Sequence, residues 1–325
     1  MTHQKINEES QIPLVGAIAF GIIDRGTNLI QIRPTSVCNQ KCPFCSTNAN
    51  NSKIHPNTYE IEKNYLIKWV KKVIKEKESK EIEANIDSVG EITCHPKIIE
   101  IINEINKIKE VTYISLQTNG LTLTKEKVNK LKDSVNRINL SIHTLNKKQA
   151  KELAGTDTYD IEKIKEIAKH IIKSKIELYL TPVWIPKIND EEILKLTDFA
   201  KEIGAKLGLQ KYEVYKYSRK IKGAKAETYW KFYDKLKKLE KEKKIKLIIK
   251  REDMNIKKVK RIQTTMEIDE KINIEIKLPG WLPNQMIGIA NDRCITVNNC
   301  NEKIGTSIQV KITDNKNNIY LAKKL

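Results

Sequence analysis

The chain has 325 residues, 39% of them apolar, and a formal charge of +19 from 60 Lys and Arg against 41 Asp and Glu. That length buries a large core, expected as one big domain plus a small one, and the apolar content excludes a disordered chain. The longest apolar run, residues 12–23, is broken by Pro13, Gly16 and Gly21, falls short of the roughly 20 residues of a membrane span and lacks the flanks of a signal peptide.

In chain order, residues 1–11 are polar and expected to fray. Residues 17–33 read as a hairpin that turns at Gly26, with Pro34 ending its second strand. Strands and helices then alternate. Helical spacing marks 59–75, a stripe of Ile98, Ile99, Ile102 and Ile105, then 125–132, a stripe of Ile161, Ile164, Ile167, Ala168 and Ile171, then 191–203 and the long charged 226–243. Strands are expected at 82–89, 111–117, 137–142, 176–183 and 206–212. Six βα units predict parallel strands joined by right-handed crossovers, an α/β fold of the partial (β/α)6 TIM type.

The second hairpin strand delivers the chain to Cys38-Asn39-Gln40-Lys41-Cys42-Pro43-Phe44-Cys45. Three thiolates at this spacing on a loop turn toward one point, whereas a structural zinc site or a closed cluster wants four ligands. A cubane held by three leaves one iron open to an exogenous ligand. A zinc site completed by His95 or a remote cysteine, or three unrelated buried cysteines, remain as alternatives. In a barrel, chemistry gathers at the C-terminal strand ends. There stand the cysteines, Gly90-Glu91, Thr118-Asn119-Gly120, Ser141, Thr181-Pro182-Val183-Trp184 and Gln210, in order.

With these residues assembled, the segment from about residue 28 to 243 resembles the radical SAM superfamily. The resemblance implies a [4Fe-4S] cluster on Cys38, Cys42 and Cys45 and S-adenosylmethionine (SAM) on the open iron. It implies reductive cleavage of SAM to a 5′-deoxyadenosyl radical, with an electron donor such as ferredoxin or flavodoxin. Gly90 and Glu91 look like the family's motif for the SAM amino group, with Val89 in place of its first glycine. Ser141 and Asn119 are implied in contacts to the methionyl or ribose parts, and Phe44, Val183 and Leu209 in lining adenine.

After residue 243, short apolar runs at 245–249, 272–276, 286–290, 294–297, 307–312 and 319–322, broken by turn signals, predict a small β-barrel. Residues from 292 to the C-terminus resemble a TRAM domain, an RNA-binding barrel found on tRNA- and rRNA-modifying enzymes. The expected domains are an N-terminal extension and hairpin strand over 1–27, the radical SAM partial barrel over 28–245 and the TRAM/OB-like barrel over 255–325. The basic surplus, part of it the Lys/Glu/Ile enrichment of thermophile surfaces, favours an anionic partner, nucleic acid first; a basic surface that binds nothing is the other reading. Tyr212, Tyr215, Lys216, Tyr217, Arg219 and Lys220 interleave aromatics with cations for stacking and phosphate contact, with Lys311 on the barrel. Tyrosines on an edge strand are the plainer reading of that stretch. Cys94 reads as packing, Cys294 and Cys300 as buried or turn thiols, and His95, His143 and His170 as surface or loop histidines. The expectation is a cytoplasmic RNA-modifying transferase or oxidoreductase, RNA and most directly tRNA its substrate. The rival is a radical SAM enzyme acting on a protein or metabolite, with the β-module only structural.

Overall fold

The computed structural model describes residues 1–325. It divides into two compact units, residues 1–37, 50–114 and 257–325 in the first and residues 38–49 and 115–256 in the second.

In the first unit, β1 (Thr2–Ile6) pairs in parallel with β4 (Asn57–Ile61), so the N-terminus is ordered rather than frayed. Only Ile6 of β1 is buried; the backbone ladder orders a strand with almost no apolar pattern. β2 (Gly21–Asp24) and β3 (Leu29–Arg33) make the expected hairpin, with Gly26 at φ 77° and its amide donating to Asp24 Oδ1. α1 (Lys63–Lys77) starts four residues later than the periodicity predicts. The Glu62 carboxylate caps it by accepting from the amides of Asn64 and Tyr65. Lys77 closes the helix fully buried, its Nζ 2.7 Å from Asp24 Oδ1 and 3.1 Å from the Lys260 carbonyl. β5 (Ile82–Ile86) pairs in parallel with β3, followed by a 3-10 turn (Ile92–Cys94) and α2 (Ile98–Asn106), in which Ile101 rather than Ile99 joins the buried stripe.

β6 (Val111–Thr118) runs from the first unit into the second, where α3 (Lys125–Leu131), β7 (Arg137–Leu140), α4 (Lys147–Ala154), α5 (Ile161–Lys173) and β8 (Glu177–Leu180) follow. Ser141 stands just past β7. The fifth and sixth predicted strands each break in two: β9 (Val183–Trp184) follows Thr181-Pro182, and β10 (Lys206–Leu207) is parted by Gly208 from β11 (Gln210–Lys211), with α6 (Asp190–Ile203) between the pairs. Pro182 has no amide to donate to a continuous ladder. Within the first unit the strand order is β5-β3-β2, and in the second β10-β8-β7-β6; the pairs β3–β5, β6–β7, β7–β8 and β8–β10 are parallel, and β9–β11 forms its own parallel pair. α4 was not anticipated. Asn146 caps it on the Gln149 amide, Ala150, Leu153 and Ala154 are buried, and Gly155 ends it in the left-handed region. α7 (Tyr229–Lys243), capped by Thr228, buries Phe232, Leu236 and Leu239.

Back in the first unit, residues 245–249 having formed no strand in the second, β12 (Lys271–Pro279), β13 (Gln285–Ala290), β14 (Arg293–Asn298), β15 (Ser307–Asp314) and β16 (Tyr320–Lys324) close a barrel in the order β12-β13-β14-β16-β15. Only β14–β16 is parallel. β14 is buried almost throughout because the N-terminal segment lies along it: the Cys294 amide donates to the Val15 carbonyl at 2.7 Å, and the Tyr320 amide to the Gly16 carbonyl at 3.2 Å. A Cβ on Gly16 would stand 2.1 Å from the Cys294 carbonyl oxygen, so only glycine allows this approach. Tyr59 Oη and Asn57 Nδ2 donate to the carbonyls of Pro279 and Gly280, and His55 stacks on Trp281.

Candidate active site

The cysteine loop belongs to the second unit and is held there by groups distant in sequence. The C-terminus of α4 braces it: the Ala154 carbonyl accepts from the Lys41 amide at 3.1 Å and from the Cys42 thiol at 3.8 Å. Gly155, at φ 64°, lies so close that a Cβ would come within 2.2 Å of the Lys41 carbonyl oxygen. The Arg219 amide donates to the Cys45 carbonyl at 2.9 Å, while its guanidinium reaches the carbonyls of Cys42 (3.1 Å) and Ala49 (2.6 Å). Ser218 Oγ adds a bond to the Ser46 carbonyl. Phe44 anchors the loop in an apolar cluster with Leu153, Ile185 and Tyr212, with Val183 at its margin, and meets His143 edge to face at 4.7 Å.

Burial pushes the Cys42 thiol up to about 12, the neighbouring Cys45 and Cys38 add to the rise, and Arg219 opposes it. Cys42 is protonated in the metal-free protein and must release that proton to take a metal. A cubane takes one iron for each thiolate and so suits a set of three cysteines. His95 is no fourth ligand, because Nε2 bonds the Ile61 carbonyl and Nδ1 accepts from the Lys97 amide, both in the first unit. Next to Cys38, Asn39 Oδ1 accepts from Asn119 Nδ2 at 2.8 Å, while Asn39 Nδ2 is buried without a partner. A three-sulfur donor set beside an orphaned amide donor fits a cluster that carries a polar ligand.

The strand ends of the second unit are brought together in part. Gln117 Nε2 donates to Ser141 Oγ (2.8 Å) and Thr181 Oγ1 (3.4 Å), and the Val183 amide donates to His143 Nδ1. Burial pulls the His143 imidazole down to about 4, so it is neutral near pH 7. Leu209 lines a cavity of 280 Å³ with Gln117, Asn139, Tyr179, Thr181 and Gln210. Tyr212 is 2% exposed, Tyr215, Lys216 and Lys220 are exposed, and Tyr217 lies half-buried under Lys216.

In the first unit, the Glu91 amide donates to the Val37 carbonyl, and a Cβ on Gly90 would stand 2.3 Å from that oxygen, a cradle that admits only glycine. The buried Glu91 accepts from the Thr93 amide and hydroxyl, which fixes its carboxylate at the start of the 3-10 turn. Cys94 follows in that turn, the Cys294 thiol donates to the Pro13 carbonyl, and Cys300 is buried in the barrel core. His170 bonds Asn129 on the surface. Lys311, on β15, pairs with Asp269.

Sequence reasoning missed α4 and the Arg219 clamp. Gly155 after Leu153-Ala154 was a legible helix stop; nothing local to Arg219 announces that it reaches a loop 170 residues away.

The radical SAM superfamily model matches residues 32–200. An uncharacterized protein of Methanocaldococcus jannaschii is 36% identical over 345 residues, 98% of this chain and 79% of that protein. GTP 3′,8-cyclase of Clostridium perfringens is 29% identical over 179 residues, 55% of this chain and 53% of the cyclase. Among solved structures, SuiB of Streptococcus suis bound to S-adenosylmethionine aligns with TM-score 0.51 and 19% identity over 74% of this chain and 51% of SuiB. His-tagged anSMEcpe with bound AdoMet gives 0.52 and 19% over 68% and 60%. The structural likenesses show the fold alone. The chain belongs to the radical SAM superfamily. With that membership come a [4Fe-4S] cluster, SAM and the need for an electron donor. No helix is long and apolar enough to cross a membrane.

Proposed function

We propose that this chain is a radical SAM enzyme that modifies RNA, most directly tRNA, as a cytoplasmic transferase or oxidoreductase. When bound, the cluster and SAM supply a 5′-deoxyadenosyl radical, with the electron coming from a ferredoxin or flavodoxin. The chain's own residues bind and orient. Cys38, Cys42 and Cys45 give up their protons to hold iron. Gly90 admits the backbone, and Glu91 would take the SAM ammonium group. Asn119 and Ser141 would hold its polar middle, and Phe44, Val183 and Leu209 its adenine.

The observation that carries the RNA reading is a row of lysines on the TRAM-like barrel. Lys271 stands opposite Lys311, and Lys311 opposite Lys323, across three neighbouring strands. Like charges directly opposite destabilise a sheet, and Asp269 offsets only part of this; a phosphate backbone laid over the row relieves the rest. A small purine nucleotide is the second reading, favoured by the relatives named GTP 3′,8-cyclase.

The test is tRNA binding by anaerobic, cluster-loaded enzyme as a function of salt, with 5′-deoxyadenosine release as the activity. Lys271, Lys311 and Lys323 changed together to Gln should flatten the log–log salt slope by about 2 to 3, since each phosphate contact contributes about 0.9. Cys42→Ala should abolish 5′-deoxyadenosine. An unchanged slope, with turnover on GTP and none on tRNA, decides for the nucleotide.

A further inference from the structure

We infer that the first turns of α7, with the loop before them, form a platform on which unpaired bases of a single-stranded nucleic acid stack. The inference rests on the RNA reading and names the strand form that the second unit takes. Every exposed Phe, Tyr or Trp of the protein falls between residues 215 and 233: Tyr215 is 60% exposed, Tyr229 60%, Trp230 76% and Tyr233 43%. The other exposed large apolar side chains are Met, Ile or Leu. Single exposed aromatics mean little, but a group confined to one stretch marks a contact surface. Phe232, Leu236 and Leu239 fix the inner face of the helix. Tyr229 and Tyr233, one turn apart, hold their rings 6.5 Å apart and 29° from parallel.

Charge selects the occupant. Residues 211–238 carry ten Lys and Arg against three Asp and Glu. The three acids pair with Lys211, Lys235 and Lys238, while Lys216, Lys220, Lys222, Lys225 and Lys231 are exposed. Protein interfaces are depleted in lysine, whereas aromatics set among lysines suit bases on the rings and phosphates on the ammonium groups. Lys211 ties the parts together, its Nζ donating to the Glu227 carbonyl and lying 4.7 Å from the Tyr229 ring centre. Ser218 and Arg219 attach the same stretch to the cysteine loop within this unit. The loop before α7 is thus tied to the loop that carries the three thiols.

The experiment uses full-length, cluster-loaded protein and a labelled ten-nucleotide uridine oligomer, followed by anisotropy at 0.1 M salt, with tRNA binding measured in parallel. Trp230→Ala, at a site too exposed to matter for folding, should weaken oligomer binding roughly tenfold or more, and Trp230→Phe should restore most of it. Equal oligomer affinity in wild type and Trp230→Ala, with tRNA still bound, overturns the platform and leaves the RNA reading standing. Absence of tRNA binding by the wild type overturns both. Displacement of the oligomer by an equal charge of polyglutamate overturns it as well, and marks the patch as a site for an acidic protein.

Discussion

The Arg219 guanidinium donates to the Cys42 carbonyl at 3.1 Å and, through its other terminal nitrogen, to the Ala49 carbonyl at 2.6 Å. One planar fork thus ties the middle of the cysteine loop to its end. Lysine presents a single point donor and cannot span both. Arg219→Lys should cost about 2 kcal/mol of loop order, the worth of a charge-assisted bond. It should show as less iron retained per chain after anaerobic reconstitution and gel filtration. Full iron content at wild-type stability would refute the clamp.

Gly155 meets the same loop at Lys41. Alanine there would combine a left-handed backbone with a Cβ 2.2 Å from the Lys41 carbonyl oxygen. We expect Gly155→Ala to lose about 2 kcal/mol or more in urea unfolding and to bind less iron. Gly204→Ala, also left-handed but with no atom within 4 Å of the added Cβ, should lose only the backbone part.

The Lys77–Asp24 pair has both side chains fully out of solvent. Removing one partner strands the other charge, so Lys77→Met should destabilise the protein by about 3–5 kcal/mol, measured by urea unfolding of the metal-free form. Adding Asp24→Asn should recover part of that. A loss below 1 kcal/mol would show that water reaches the pair.

Acid should weaken the fold through His143 and, in the same direction, His95, because burial lowers both imidazoles from 6.5. Between about pH 4 and 6.5 the unfolded chain binds more protons than the folded one. Stability therefore rises with pH across this window, is complete above it, and is lost as pH falls through it. For His143, lowered to about 4, the span is on the order of 3 kcal/mol. His143→Asn, whose amide oxygen can still accept from the Val183 amide, should flatten the dependence of unfolding free energy on pH. An identical slope in the variant would mean that His143 is hydrated.

The parts of this protein that were legible from sequence are those whose signal is local. Three cysteines within eight residues, the isoleucine stripe of α5 and the turn-bounded runs of the C-terminal barrel carry their meaning in their spacing. β1 was illegible because only Ile6 in it is buried, and its order comes from a ladder with residues more than fifty positions away. α1 was read too long because Glu62, an uncommon cap, starts it where the apolar periodicity gives no break. Tyr212 and Arg219 read as surface residues in a basic stretch. Their packing onto Phe44 and the loop carbonyls depends on tertiary neighbours.

The segment at Pro13, Val15 and Gly16 that lies along β14 depends on the C-terminal barrel. Synthesis must run past Cys294 and Tyr320 before the carbonyls of Val15 and Gly16 find their donors. Until then the apolar stretch around them lacks the barrel, and deleting residues 255–325 would make that loss permanent. Truncated versions should therefore emerge as chaperone-bound or aggregated material rather than as a smaller working enzyme.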